Sequence, residues 1–353
     1  MVLIMVEIWF VLLCFMLIVF VVLDGWDIGA GVLHLIVAKT DLERREVVAA
    51  IGPLWSWHEV WLIAAGGTFV LAFPVAMAAA FSGFYLALWM VLWAFVLRGI
   101  SIEVGGHIHE PLWQTFWDVV FAASNLLLAV LFGAALGNVI RGVPIDATAR
   151  FAMTLFTDFG VRGDVGILDW YTVSVALFAT VLLAAHGATY LRFKTEGAVH
   201  DRSERLARTL WIGTLVLFPI VSVQTWIVRP EFYQAMGSRP AAWLFIVIML
   251  GGAWALWTGF RRPFEARAFA GSCAIVAGLL GAAAASAFPE ILHSTIAPQY
   301  SMTAHAAATT GSGLVVALFW WPIAAGLAIT YFVVIMRKYR GKVRVTHDTQ
   351  GFY

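Results

Sequence analysis

Ile8-Trp-Phe-Val-Leu-Leu-Cys-Phe-Met-Leu-Ile-Val-Phe-Val-Val-Leu23 carries no charge and leads directly into Asp24-Gly-Trp-Asp-Ile-Gly-Ala-Gly31. Taken on to about residue 36, the run exceeds the ~20 apolar residues that a helix needs to cross ~30 Å of hydrocarbon. Comparable runs follow at about 53–73, 82–102, 117–140, 167–191, 208–228, 241–260, 268–289 and 312–336, separated by Gly, Pro and charged residues. Of the 353 residues, 62% are hydrophobic and 12% charged, about half the charge of a typical soluble domain. Mean hydropathy is +0.88. These values exclude a soluble fold and give an all-α integral membrane protein of about nine transmembrane helices. No polar stretch is long enough for a separate unit, so residues 1–353 read as a single transmembrane domain.

An odd number of spans puts the termini on opposite sides, and Lys/Arg placement chooses between the two topologies. With the N-terminus outside, the inner connections and ends hold 17 basic residues, among them Lys39, Arg44, Arg98, Arg202 and Lys338. The outer side keeps 5: Arg141, Arg150, Arg162, Arg229 and Arg239. The expected topology is N-terminus outside and C-terminus cytoplasmic. Lys plus Arg (22) balances Asp plus Glu (21), which gives no sign of nucleic-acid binding. The N-terminal segment has Glu7 and no basic region before its apolar run, so it reads as a retained helix and not as a cleaved signal. Cys14 and Cys273 match neither a metal pattern nor a covalent haem attachment. The outer connection at about 141–166 is expected on the membrane surface, and the charged stretch 192–208 as an extension of its flanking helices.

Ionisable groups inside spans cost roughly 2.5 to 3.5 kcal/mol each at the bilayer centre on insertion scales, and they are functional candidates for that reason. At about 1.5 Å per residue, Asp24 and Asp27 lie in the inner half of the first span, three residues apart on one face. The second span brings His58, Glu59 and Trp61 to similar depth, and the third returns with Arg98 and Glu103. Three consecutive spans, covering about 7–103, therefore converge on one polar cluster. Three readings stand side by side: an ion-pair network that only holds helices together, a proton path through carboxylates and an imidazole, and a headgroup site for a lipid-soluble ligand such as a quinone, with Arg98 donating and Trp61 packing on the ring. The glycines around the aspartates and Gly66-Gly67 permit close helix approach. Among nine histidines, His58 and His186 are deep enough to consider as axial haem ligands. His107 and His109, with Glu110, read as interfacial.

Several ordered segments carry a resemblance. Asp24-Gly-Trp-Asp-Ile-Gly-Ala-Gly31, Ile51-Gly-Pro-Leu-Trp55, Glu59-Val-Trp-Leu-Ile-Ala-Ala-Gly-Gly67, Phe73-Pro74 and Leu97-Arg-Gly99 are similar to subunit II of the cytochrome bd ubiquinol oxidase family. Gly137-Asn-Val-Ile-Arg-Gly-Val-Pro144, Asp169-Trp-Tyr171, His186-Gly-Ala-Thr-Tyr190, Lys194-Thr-Glu-Gly197 and Tyr339-Arg-Gly-Lys342 extend the similarity, in order, over essentially the whole chain.

The resemblance implies an accessory subunit of a membrane oxidase in a bacterial or archaeal cytoplasmic membrane. Its implied partner is a homologous subunit I that carries haem b and haem d, oxidises quinol and reduces oxygen to water. A small single-helix subunit and membrane lipid are further expected partners. No haem is expected in this chain. The residues matching the family's quinone contacts are Asp27, Trp61 and Arg98, and Asp24 matches an acid assigned to its proton channel. The chain departs from the family where Trp55-Ser-Trp-His58 replaces the usual Trp-Asp-Gly-Asn, so Ser56 stands at the proton-path aspartate. His58 and Glu59 are the expected replacements, with Glu103 nearby. Gly105-Gly-His-Ile-His109 departs as well. A haem-bearing electron-transfer subunit and a proton-coupled transporter are the alternative readings.

Overall fold

In a computed structural model, the described residues are 2–108, 110–161, 163–262, 264–309, 313–343 and 345. His109, Arg162, Arg344 and His347 lie outside them. The chain forms α1 (Val2–Val37), α2 (Asp41–Ile51), α3 (Trp55–Ala72), α4 (Pro74–Gly83), α5 (Tyr85–Val104), α6 (Pro111–Arg141), α7 (Trp170–Lys194), α8 (Gly197–Val228), α9 (Pro230–Ser238), α10 (Pro240–Arg261) and α11 (Glu265–Ala287). A two-stranded antiparallel ribbon follows, β1 (Glu290–Leu292) with β2 (Met302–Thr303), then the single turn α12 (Ala304–Ala307) and α13 (Gly313–Lys338). Eight of these helices are long and apolar enough to cross a membrane, and the pair α2–α3, bent by 42°, makes nine if it is one span. The protein is an all-α multi-pass membrane protein.

Proline and capping residues set the breaks. Gly52-Pro53 separates α2 from α3, because proline cannot donate to a continuing helix and its ring crowds the preceding turn. Pro74, Pro111, Pro230 and Pro240 open α4, α6, α9 and α10, where the missing N–H costs nothing. Thr40 closes a reciprocal capping box with Glu43 at the start of α2, and Asp169 does the same with Thr172 at the start of α7. Helix α8 begins at Gly197, eleven residues before the apolar run, so the charged stretch is its first three turns.

α1 is the central helix and packs on α3, α6, α7 and α11. Its tightest neighbour is α7. A methyl group at Gly29 would overlap the Leu183 carbonyl, and one at Gly187 would overlap the Ala30 nitrogen, so both backbones approach as only glycine allows. Gly66 and Gly67 behave otherwise: nothing lies near the position of their absent Cβ, and the close approach expected there is not made. α8, α10 and α13 leave most of their apolar surface uncovered, with Leu215, Trp254, Phe319 and Leu327 among the exposed side chains. In water such faces would be a liability; facing hydrocarbon or another membrane subunit they are the expected composition. The connection between α6 and α7 folds over the bundle end, where Val143 and Ile145 are buried and Val143 bridges to Ser294. It is a packed loop with an exposed tip at Phe156, and not simply a surface-lying segment.

Candidate functional site

The cluster expected from the sequence forms, with a pairing the sequence did not specify. Arg98 on α5 donates from Nη1 to Asp24 Oδ2 at 2.8 Å and from Nη2 to Asp24 Oδ1 at 2.5 Å, a two-bonded fork between groups with no exposed surface. Asp27, one turn further along α1, instead meets His58 of α3, with Nδ1 and Oδ2 at 2.6 Å. Arg98 Nη2 stands 3.7 Å from the same Asp27 oxygen, and its Nη1 stands 3.8 Å from Glu59 Oε1. Asp24, Asp27, His58 and Arg98 are all fully buried, whereas the Glu59 side chain keeps 22% of its surface. Glu59 is therefore the rim through which the cluster meets the outside of the chain.

Three carboxylates face one guanidinium. An uncompensated buried charge is expensive, so the surplus negative charge is best met by a proton shared among Asp27, His58 and Glu59. Asp27 Oδ1, His58 Nε2, Glu59 Oε1 and Arg98 Nε have no hydrogen-bond partner within the protein, which leaves the cluster able to accept and donate further bonds. Asp24, Asp27 and His58 also bring three ligating atoms within 4.8 Å of one another. Both Asp24 oxygens already serve Arg98, so the guanidinium takes the place a cation would fill.

Aromatic packing fixes the imidazole. Trp26 lies edge-on to His58 with centroids 5.0 Å apart and stacks on Tyr190 at 5.2 Å. Tyr190 in turn donates to the Ala50 carbonyl at 2.7 Å, tying α7 to the end of α2 beside the break before α3. Trp61, one turn beyond His58, is 9% exposed and lies edge-on to Phe15 of α1 at 6.0 Å. It lines the same α1–α3 interface without a direct contact to Asp27 or Arg98 among the described residues.

Two sequence candidates stay outside. Glu103 is exposed, because the five residues from Arg98 turn it about 140° around α5. Ser56 is exposed in the first turn of α3. His186 is fully buried but committed, Nδ1 at 2.8 Å from Ser272 Oγ and Nε2 at 3.0 Å from the Val22 carbonyl, and no ring nitrogen is left for a metal. A group absent from the sequence-based candidates joins instead: His34 Nε2 lies 2.7 Å from Asp118 Oδ1, and Arg44 donates to Asp118 Oδ2 at 3.0 Å. The signal available for it was the seven-residue step from Asp27 to His34, which keeps both on one helix face.

Residues 5–339 match the profile of the family "Cytochrome bd terminal oxidase subunit II". The chain belongs to that family. It is 28% identical to the "Probable cytochrome oxidase subunit 2" of Haemophilus influenzae, over 95% of this chain and 94% of that protein. It is 35% identical to the "Cytochrome bd-I ubiquinol oxidase subunit 2" of Escherichia coli over 61% of this chain and 56% of that one. The "Cytochrome bd ubiquinol oxidase subunit 2" of Bacillus subtilis is 25% identical over 97% and 98%. Among solved structures, a chain of the bd oxidase from Geobacillus thermodenitrificans superposes with a TM-score of 0.72, covering 95% of this chain and 98% of that one. At 17% identity that likeness establishes the shared fold. This cytochrome bd subunit II is thus part of an oxidoreductase, and its buried cluster sits in the family's helical frame.

Proposed function

We propose that this subunit II pairs with a homologous, haem-bearing subunit I that oxidises quinol and reduces oxygen to water. In that complex it supplies assembly, a quinone contact and a proton path. The observation that carries this reading is the fully buried Asp24–Arg98 and Asp27–His58 cluster, opening at Glu59, inside a chain matched over residues 5–339 by the subunit II family. A structural ion-pair network needs no unpaired atoms, whereas four polar atoms of this cluster lack partners.

The quinone site is proposed at Asp27, Trp61 and Arg98. The donor set fits a quinone ring: Arg98 Nε is free to donate to a carbonyl oxygen, and Trp61 offers an aromatic face on the same α1–α3 interface. A bound quinone would supply a redox-active ring; the protein's part is to orient its carbonyl and exclude water. The proton path is proposed through Glu59, His58, Asp27 and Asp24, with Glu59 at the rim and His58 passing a proton to Asp27. Glu103, exposed as it is, would serve only at the approach to that path. The haem b and haem d of the complex are assigned to subunit I, with a small single-helix subunit and lipid as further partners, in the bacterial or archaeal cytoplasmic membrane, N-terminus outside and C-terminus inside.

The test is to tag the chain, purify it gently from its native membrane, identify the chains that follow it, and compare haem content of the complex with that of the isolated subunit. A homologous haem protein in the complex, and none with the isolated chain, is the expected result. Haem retained by the isolated chain would overturn the division of labour. Replacing both His58 and Glu59 by apolar residues is expected to slow oxygen and proton uptake together in an assembled complex; unaltered rates would remove these residues from the path.

A further inference from the structure

A second line of buried, unpaired polar atoms leads to the cluster from the other direction. α1 places Asp27, Gly31 and His34 at intervals of four and three residues, on one face. α6 places Asp118, Phe121 and Asn125 at intervals of three and four, again on one face. The two faces meet antiparallel. His34 Nε2 lies 2.7 Å from Asp118 Oδ1, the His34 ring is edge-on to Phe121 with centroids 5.1 Å apart, and the Asn125 amide fills the space that a Cβ on Gly31 would need. Asp118 keeps 18% of its side chain exposed beside Arg44, while His34 and Asn125 are fully buried.

Three atoms on this line have no hydrogen-bond partner within the protein: His34 Nδ1, Asn125 Oδ1 and Asp27 Oδ1. The only other bond of the Asn125 side chain runs from its Nδ2 to the Phe121 carbonyl within α6. Buried polar atoms left in this way are where ordered water binds, and each such water needs two to four polar partners. The seven residues from Asp27 to His34 rise about 10 Å along α1, the span of roughly three hydrogen-bonded waters.

We propose that Asp118, His34 and Asn125 form a water-lined inlet that delivers protons to Asp27 from the end of the bundle carrying Arg44, separate from the rim at Glu59. This rests on the reading of the cluster as a proton relay. A proton from solvent binds the Asp118 carboxylate and passes to Nε2 of His34. The ring releases its other proton from Nδ1 to a water, and that proton moves by way of water held at the Asn125 carbonyl to Oδ1 of Asp27. Tautomer exchange returns the ring to its starting form. Arg44 is a positioning residue, holding the second Asp118 oxygen so that the first faces His34.

The experiment uses the complex with its co-purifying chains, reconstituted in vesicles with a trapped pH dye and driven by a short-chain quinol and oxygen. Four variants are compared: Asp27→Asn, Asp118→Asn, Asn125→Leu and Asn125→Ser. The first three are expected to slow proton uptake at least ten-fold with haem content unchanged. Asn125→Ser, which keeps an acceptor and leaves room for water, is expected within two-fold of the parent. Asp118→Asn preserves shape at a part-exposed position, so it reports even if the leucine variant fails to assemble. If Asp27→Asn slows uptake while Asp118→Asn and Asn125→Leu do not, the inlet is overturned and the relay stands. If Asn125→Ser is as slow as Asn125→Leu, the residue only packs the helices and the inlet is again overturned. If Asp27→Asn has no effect, the relay itself fails, and the inlet with it.

Discussion

Arg98 and Asp24, 74 residues apart in the chain, are joined by two hydrogen bonds in a site without solvent, while Asp27, three residues away, is left to His58. One guanidinium therefore fixes α5 against α1 through a single carboxylate, and the second carboxylate is held by a group that can change its protonation. The fork supplies rigidity and the imidazole supplies chemistry.

Breaking one side of that fork should be worse than removing both. Asp24→Leu leaves Arg98 buried without its main partner, a loss of about 3–5 kcal/mol in comparable pairs. The double variant Asp24→Leu/Arg98→Met, with no orphaned charge, is expected to recover most of the assembled complex. Thermal unfolding of the purified complex and its yield from membranes measure both; equal losses in the single and double variants would contradict the argument.

The glycines divide into two kinds. Gly29→Ala and Gly187→Ala drive a methyl into the facing backbone of α7 or α1, and both are expected to abolish assembly. Gly66→Ala and Gly67→Ala meet open space on α3 and should be neutral, or stabilising by up to about 1 kcal/mol, because alanine loses less backbone freedom in a helix. Membrane yield of the four variants side by side decides it.

At the end of the bundle that carries β1, Glu290 accepts from Arg229 Nη2 at 2.5 Å and lies 2.9 Å from His293 Nδ1. Burial alone would raise its pKa, but the hydrogen bonds and charges of His293 and Arg229 together outweigh it and hold the carboxyl below its usual range. A depressed folded pKa means that the unfolded segment binds protons first as pH falls. Glu290 therefore contributes stability above the ordinary glutamate value of about 4.3, and the contribution is lost as pH drops through its lower folded value. Hydrogen exchange of residues 288–303 is expected to rise on acidification below about pH 5, and Glu290→Gln should flatten that rise.

The topology makes a direct prediction. A cysteine at Asp158, in the connection between α6 and α7, should react with a membrane-impermeant maleimide in intact cells. One at Asp201, in the first turns of α8, should react only after permeabilisation. The opposite pattern would invert the orientation.

The sequence by itself determined the spans, their approximate depths and the family. Run lengths near 20–30 residues, a fixed rise of about 1.5 Å per residue and an asymmetric distribution of Lys and Arg are local quantities, so Asp24, Asp27, His58, Glu59 and Arg98 could be placed at one level without coordinates. What only the tertiary structure decided was azimuth and partner. Each residue turns a helix by about 100°, so Glu103, at nearly the depth of Arg98, faces away from the cluster, and equal depth could not say that Arg98 would take Asp24 and leave Asp27 to His58. The rotation of α1 is set by its contact with α7 at Gly29 and Gly187, and that of α6 by Asn125 against Gly31. His34 and Asp118 became partners through that same packing, 84 residues apart, where no local pattern in either helix could have announced the other.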